Sequence, residues 1–151
     1  GTIEKDTGTT TATPCGVFLG CTFTSSSTGQ VQFQQFYPAS QSIASGTKIF
    51  AYVADDPDTL FQVVSCSGTT VVAAMGIAAI GANIALIQNA GSTTTGNSAV
   101  AIDEGTETTT NTLPIRIIDV VRETATGADA FVEFIVKINA TMHQYNNSTG
   151  V

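Results

Sequence analysis

Apolar and polar residues along this chain fall into short runs punctuated by Gly, Pro, Asn and Thr, a pattern of many short β-strands rather than of helices. Gly16-Val-Phe-Leu-Gly-Cys-Thr-Phe23 is an apolar run that passes into alternation. Gln30-Val-Gln-Phe-Gln-Gln-Phe-Tyr37 then sets Val31 and Phe33 against glutamines. Between them, Ser25-Ser-Ser-Thr-Gly29 has turn chemistry, with Gly29 free to take positive φ, so the two runs predict a hairpin. Pro38 has no N–H for a ladder and ends the second strand. Further strands are predicted over 48–54, 61–65, 83–88, 98–102, 113–121 and 131–138, with loops at 89–97 and 104–112 and a turn at 124–129. Asp55-Asp-Pro-Asp58 is a turn in which Asp56 or Asp58 can cap one helical turn running into Leu60 and Phe61. Residues 70–81 read either as a short helix or as an apolar loop. Gly76, Gly81 and the Val71-Val72 start argue against a long helix. Seven or eight strands at this spacing predict an all-β fold, a short-stranded β-barrel or sandwich.

Residues 1–13 stand apart. Ile3 is their one large apolar residue, so the segment cannot bury enough surface to order itself. Fully extended it reaches on the order of 40 Å, at about 3.3–3.6 Å per residue. The expected organisation is an extended N-terminal arm over 1–13, either a free tail or a strap that orders on a partner, followed by one β-rich domain over 14–151.

Composition narrows the function. Charged residues make up 11% of the 151, against a usual share of about 25%, and Ser plus Thr roughly a quarter. Twelve acids face five bases, for a net charge of −7. Five scattered bases cannot build the basic stripe that phosphate contacts need, so no nucleic-acid partner is expected. Residues 71–87 are the one stretch resembling a membrane span. They fall short of about 20 residues, contain Gly76, Gly81 and Asn83, and lack flanking bases, so the segment reads as core and no membrane partner is expected. The start of the sequence shows no apolar signal region. Cys15, Cys21 and Cys66 are odd in number and form no CxxC, which predicts small buried residues in a protein assembled in a reducing cytoplasm. The sequons at Asn139, Asn146 and Asn147 matter only in a secretory protein.

Catalytic parts are sparse. His143 is the one histidine, and it sits in a polar stretch that predicts a hydrogen-bonding surface role. No GxSxG, GxxxxGK or HExxH occurs. Asp55, Asp56 and Asp58 are the best metal candidates, but the EF-hand spacing is absent and the Pro57 turn accounts for the same residues. Asp103, Glu104 and Glu107 read as a solvated loop. Arg116 and Asp119, three apart in one strand, are expected on opposite faces. The expectation is therefore no enzyme, no metal and no cofactor. The Thr-, Ser-, Gln- and Asn-rich surface suits a lasting protein contact, because it hydrogen-bonds without the desolvation cost of buried charge.

Several stretches carry a resemblance. They are Gly16-Val-Phe-Leu-Gly-Cys-Thr-Phe23, the close at Tyr37-Pro-Ala39, and Tyr52-Val-Ala-Asp-Asp-Pro-Asp-Thr-Leu-Phe-Gln-Val63. Gln88-Asn-Ala-Gly-Ser-Thr-Thr-Thr-Gly-Asn-Ser98, Leu113-Pro-Ile-Arg-Ile-Ile-Asp-Val-Val121 and His143-Gln-Tyr-Asn-Asn-Ser-Thr-Gly-Val151 join them. From Pro14 onward the chain resembles small virion structural proteins of tailed marine bacteriophages. The resemblance implies a capsid decoration, or cement, protein on the outer capsid surface, assembled in the host cytoplasm. The major capsid protein would be its partner, and it would act as a homo-oligomer, a trimer by the symmetry of shell axes. The alternative expectation is a receptor- or glycan-binding domain of a phage fibre or other appendage, with Tyr37, Tyr52 and Tyr145 stacking on sugars.

Overall fold

The computed structural model describes residues 2–5, 8–38, 40–68, 75–125 and 131–148. Within them the chain is all-β, with nine strands in two sheets and three single 3-10 turns. The smaller sheet has the order β2-β1-β3, built from β1 (Val17–Thr24), β2 (Val31–Gln34) and β3 (Phe50–Ala54), all antiparallel. The predicted hairpin closes it on one side. Thr24 faces Val31, Gly29 N donates to Ser25 O at 2.9 Å, and Gly29 takes φ 68°. The strand ends at Gln34, before Pro38, because the chain bends at residues 35–36.

The larger sheet has the order β5-β8-β9-β4-β7-β6. Its strands are β4 (Phe61–Cys66), β5 (Asn83–Ile84), β6 (Leu86–Asn89), β7 (Ala99–Asp103), β8 (Ile115–Val120) and β9 (Glu133–Ile138). Neighbours are antiparallel except β4 and β7. The two end strands, β5 and β6, are consecutive in sequence with only Ala85 between them, so the sheet bends back almost to closure and is barrel-like. Residues 83–88, expected as one strand, thus split in two. Ala85 takes a hydrogen bond from Asp103 N at 2.9 Å and donates its own N–H to Thr106 Oγ1 at 3.0 Å, leaving one edge to serve the other.

The core lies inside this larger sheet. Ile84, Ile102, Ile115, Ile117, Val120, Val132, Phe134, Val136 and Ile138 pack there with Met75 and Ala79. β9 alternates strictly between half-buried and buried, as a period of two requires. β8 does not. A bulge between Ile117 and Asp119 resets its alternation, so Ile117 and Val120 are both buried. The same bulge puts Asp119 on the face of Arg116, since they oppose Ile135 and Lys137 of β9. The expected opposite faces do not occur. The two still do not pair: Arg116 Nε donates to Asn83 Oδ1 at 2.9 Å, and Asp119 Oδ1 accepts from Val120 N.

Three smaller expectations resolve here. Asp56 Oδ1 accepts from Asp58 N at 2.8 Å, which makes the 55–58 segment an Asx-stabilised β-turn with no helical turn after it. Of residues 70–81, 70–74 lie outside the described residues and Ile77–Ala79 is a single 3-10 turn. The 124–129 turn lies outside them from residue 126. The N-terminal strap finds part of its seat on its own chain: Leu86 N donates to Thr9 O at 3.1 Å, Gln88 Nε2 reaches Gly8 O at 3.4 Å, and Ala12 is buried. Among the described residues no helix is long and apolar enough to cross a membrane.

Candidate functional site

Several of the candidate residues are engaged in holding the fold. His143 is fully buried, not on the surface as its polar neighbours suggest. Its Nδ1 accepts from Tyr145 N at 3.2 Å, so a neutral ring carries its proton on Nε2, which has no hydrogen-bond partner. Among the described residues no carboxylate orients the ring, and it stacks at a tilt on Tyr145 with 5.3 Å between centroids. A general base needs both an orienting partner and access to substrate, and this geometry supplies neither. The three aspartates of the 55–58 turn each have their own task. Asp55 accepts from Tyr145 Oη at 2.6 Å, Asp56 holds the turn, and Asp58 pairs with Lys137 at 3.0 Å. That ion pair is exposed on the Asp58 side and contributes at most about 1 kcal/mol. Asp103 caps the Glu104–Thr106 turn through Gly105 N. Burial, then Glu107 and Asp103, raise the Glu104 carboxyl above its ordinary value. Among the described residues no three potential metal ligands come together. Cys21 and Cys66 are buried and Cys15 is half-buried, all as free thiols; burial pushes the Cys21 thiol up.

The Tyr145–Asp55 contact ties the C-terminal segment to the turn after β3, beside a bond from Gln144 N to Pro14 O at 3.1 Å. The hydrogen bond to Asp55, and after it Cys15, push the Tyr145 phenol up from 10.0 to about 12. A phenol raised on folding stabilises the fold fully below its unfolded value and loses that contribution as pH rises through its folded value. The clasp is therefore intact at neutral pH, and its contribution to stability fades as pH rises from about 10 to about 12. Phenolate absorbance should show one step near 12 that moves down in Asp55→Asn and vanishes in Tyr145→Phe. A step unmoved by Asp55→Asn would mean that the carboxylate does not hold the phenol.

What remains uncommitted is a surface. In the small sheet, residues that face one another across strands share a side. By register, Val17, Gly20, Thr22 and Thr24 of β1, Val31 and Phe33 of β2, and Phe50 and Tyr52 of β3 line one side. On it Val31, Phe33, Phe50 and Tyr52 are 75, 64, 62 and 47% exposed. Phe33 and Tyr52 meet at 5.8 Å over Gly20. A Cβ there would stand 2.8 Å from Gln34 O and 3.1 Å from the Phe33 ring, so the glycine lets the two rings approach across the middle strand. A register shift beside it leaves Leu19 bulged and exposed. The opposite side is covered at its Cys21–Phe23 end, where Phe23 is buried under Tyr37, ring edge to ring face at 5.8 Å, and Cys21 is buried near Phe36, while Phe18 at the other end of that side stays exposed. Phe36 in turn lies against Gly96 of the loop between β6 and β7, where a Cβ would stand 2.0 Å from the ring. That contact helps seat the small sheet on the barrel.

Sequence reasoning placed these apolar runs in strands but did not single out the face. The signal was available as a charge gap, since no charged residue occurs from Thr7 to Thr47. Of the three tyrosines expected to stack on sugars, only Tyr52 lies on this face. Tyr37 packs on Phe23 and donates to Gln41 O, and Tyr145 serves the clasp. Fold and face together define an all-β protein with an exposed, uncharged aromatic sheet surface. No family model, curated protein or solved structure matches the chain.

Proposed function

We propose that this chain is a virion structural protein, a decoration protein that binds the outer surface of a phage capsid and stabilises the mature shell. The observation that carries the reading is the exposed aromatic face: a protein several of whose candidate residues hold its own fold, and whose largest uncommitted feature is an uncharged apolar surface, is built for lasting assembly. The major capsid protein is the proposed partner, and a trimer on a local symmetry axis the proposed form. Residues 2–5, exposed and carrying Ile3, extend beyond the strap seated on β6 and are proposed to reach the shell. Stabilisation follows by mass action, since a ligand of the assembled lattice that ignores free subunits shifts the equilibrium toward the lattice.

Purified chain added to capsids that lack it should bind saturably, with copies on the order of hundreds per particle, and raise the temperature at which shells fall apart. Removing residues 1–5 should lower occupancy and heat resistance together. No binding sinks the reading. A few dozen copies confined to a vertex or tail would replace it with an appendage domain that binds receptors or glycans.

A further inference from the structure

A strand with one side in water alternates apolar with polar residues, whereas a strand covered on both sides reads as a continuous apolar run. Val17-Phe-Leu-Gly-Cys21 in β1 and Phe50-Ala-Tyr-Val-Ala54 in β3 are continuous. One side of this sheet is covered at its Cys21–Phe23 end by the chain itself, through Tyr37 on Phe23 and the bridge from Ile43 to Ser25. No described residue covers the other side, although the sequence of both strands is written for cover there as well.

We infer that a second copy of this chain covers the face formed by Val17, Val31, Phe33, Phe50 and Tyr52. Size, charge and layering favour that occupant. An aromatic side chain presents about 150–250 Å². At their exposures the three rings and two valines leave open an area on the order of 500 Å². That is more than half of the roughly 800 Å² per partner of a stable interface, and more than a single bound side chain would cover. Ten of the twelve acidic residues lie after residue 54, while β1, β2 and β3 hold no charge. The barrel part carries most of the chain's carboxylates, whereas this face meets its own kind without like charges. A three-stranded sheet with one bare apolar side is also half of a two-layer arrangement, and another such sheet completes it. The inference does not depend on the capsid reading and holds for the free chain.

The full chain, purified alone and compared at about 1 and 100 μM by sedimentation velocity, should move at the higher concentration as two or more chains of 15.5 kDa. Phe33→Asp should return it to a single chain at every concentration. Val31→Lys, at the most exposed position of the face, should do the same and keeps the test decisive should the first variant fold poorly. Both sites lie outside the buried core, so circular dichroism should match the parent. A folded parent that stays single at 100 μM overturns the inference, even if it saturates capsids. So does an oligomer that survives both substitutions.

Discussion

Phe134→Ala is expected to remove about 3–5 kcal/mol of unfolding free energy, a large share of the roughly 5–15 kcal/mol that holds a domain of this size together. Phe134 is fully buried in β9, a strand flanked on both edges, with Val63 of β4 opposite on one side and Val120 of β8 on the other. A ring removed there leaves a cavity that neither neighbour can fill by fraying, because both are paired to β9 on either side of it. At about 2–4 °C per kcal/mol, the melting temperature should fall by roughly 6–20 °C. Phe33→Ala is the matched comparison. Its ring is mostly exposed and touches Tyr52, so the isolated chain should lose no more than about 1 kcal/mol. Denaturation at one fixed protein concentration separates the two. A cost below about 1 kcal/mol at Phe134 would mean that the core does not lie inside the larger sheet.

The contrast between these two phenylalanines also marks where the sequence was readable. Both sit in alternating or apolar runs that predict strands, and strands they are. Leu113-Pro-Ile-Arg-Ile-Ile-Asp-Val-Val121 and Phe131-Val-Glu-Phe-Ile-Val-Lys-Ile138 announced β8 and β9 through β-branched residues, a local preference. Which side of a strand meets the core is decided by partners distant in sequence, such as the pairing of β4 with both β7 and β9. No run carries that information. The break at Ala85 shows the same limit: Asn83-Ile-Ala-Leu-Ile-Gln88 holds no Gly or Pro, because the kink that nearly closes the barrel is imposed by pairing and not by turn chemistry. The bulge at Ile118 hid in the Ile117-Ile118 pair and reversed the expected placement of Asp119. His143 was misjudged for the opposite reason. Its neighbours are polar, but they turn back on themselves through Asn146 N and Asn147 N to His143 O and shut the ring inside. The candidate face was half legible. Its apolar content was plain, and the charge gap from residue 7 to 47 marked its β1 and β2 part but not Phe50 and Tyr52, and only the strand register separates its exposed side from its covered one.

The same closing segment supplies the second large effect. Asn139 is buried at the end of β9, where its Nδ2 donates to Asn111 O at 3.2 Å and Leu113 O at 3.0 Å. Its main-chain N donates to Pro114 O at 2.7 Å, and its carbonyl accepts from both Met142 N and His143 N. One residue thus joins the loop before β8, the end of β9 and the turn that buries His143. The side-chain amide is spent on two carbonyls, so a sugar on this sequon nitrogen is incompatible with the fold. Asn139→Ala leaves the buried Leu113 carbonyl short of a donor, while Asn111 O keeps the Thr141 hydroxyl, and should destabilise the chain by about 1–3 kcal/mol. Asn139→Asp sharpens the test because it keeps the shape and exchanges the donor for an acceptor. Oxygen then faces oxygen at both contacts, so the aspartate should cost at least as much as the alanine despite filling the same space. Thr141→Ala, which loses one exposed bond to Asn111 O, should cost no more than about 1 kcal/mol. If Asn139→Asp unfolds at the same denaturant concentration as the parent, packing rather than hydrogen bonding holds this end of the barrel.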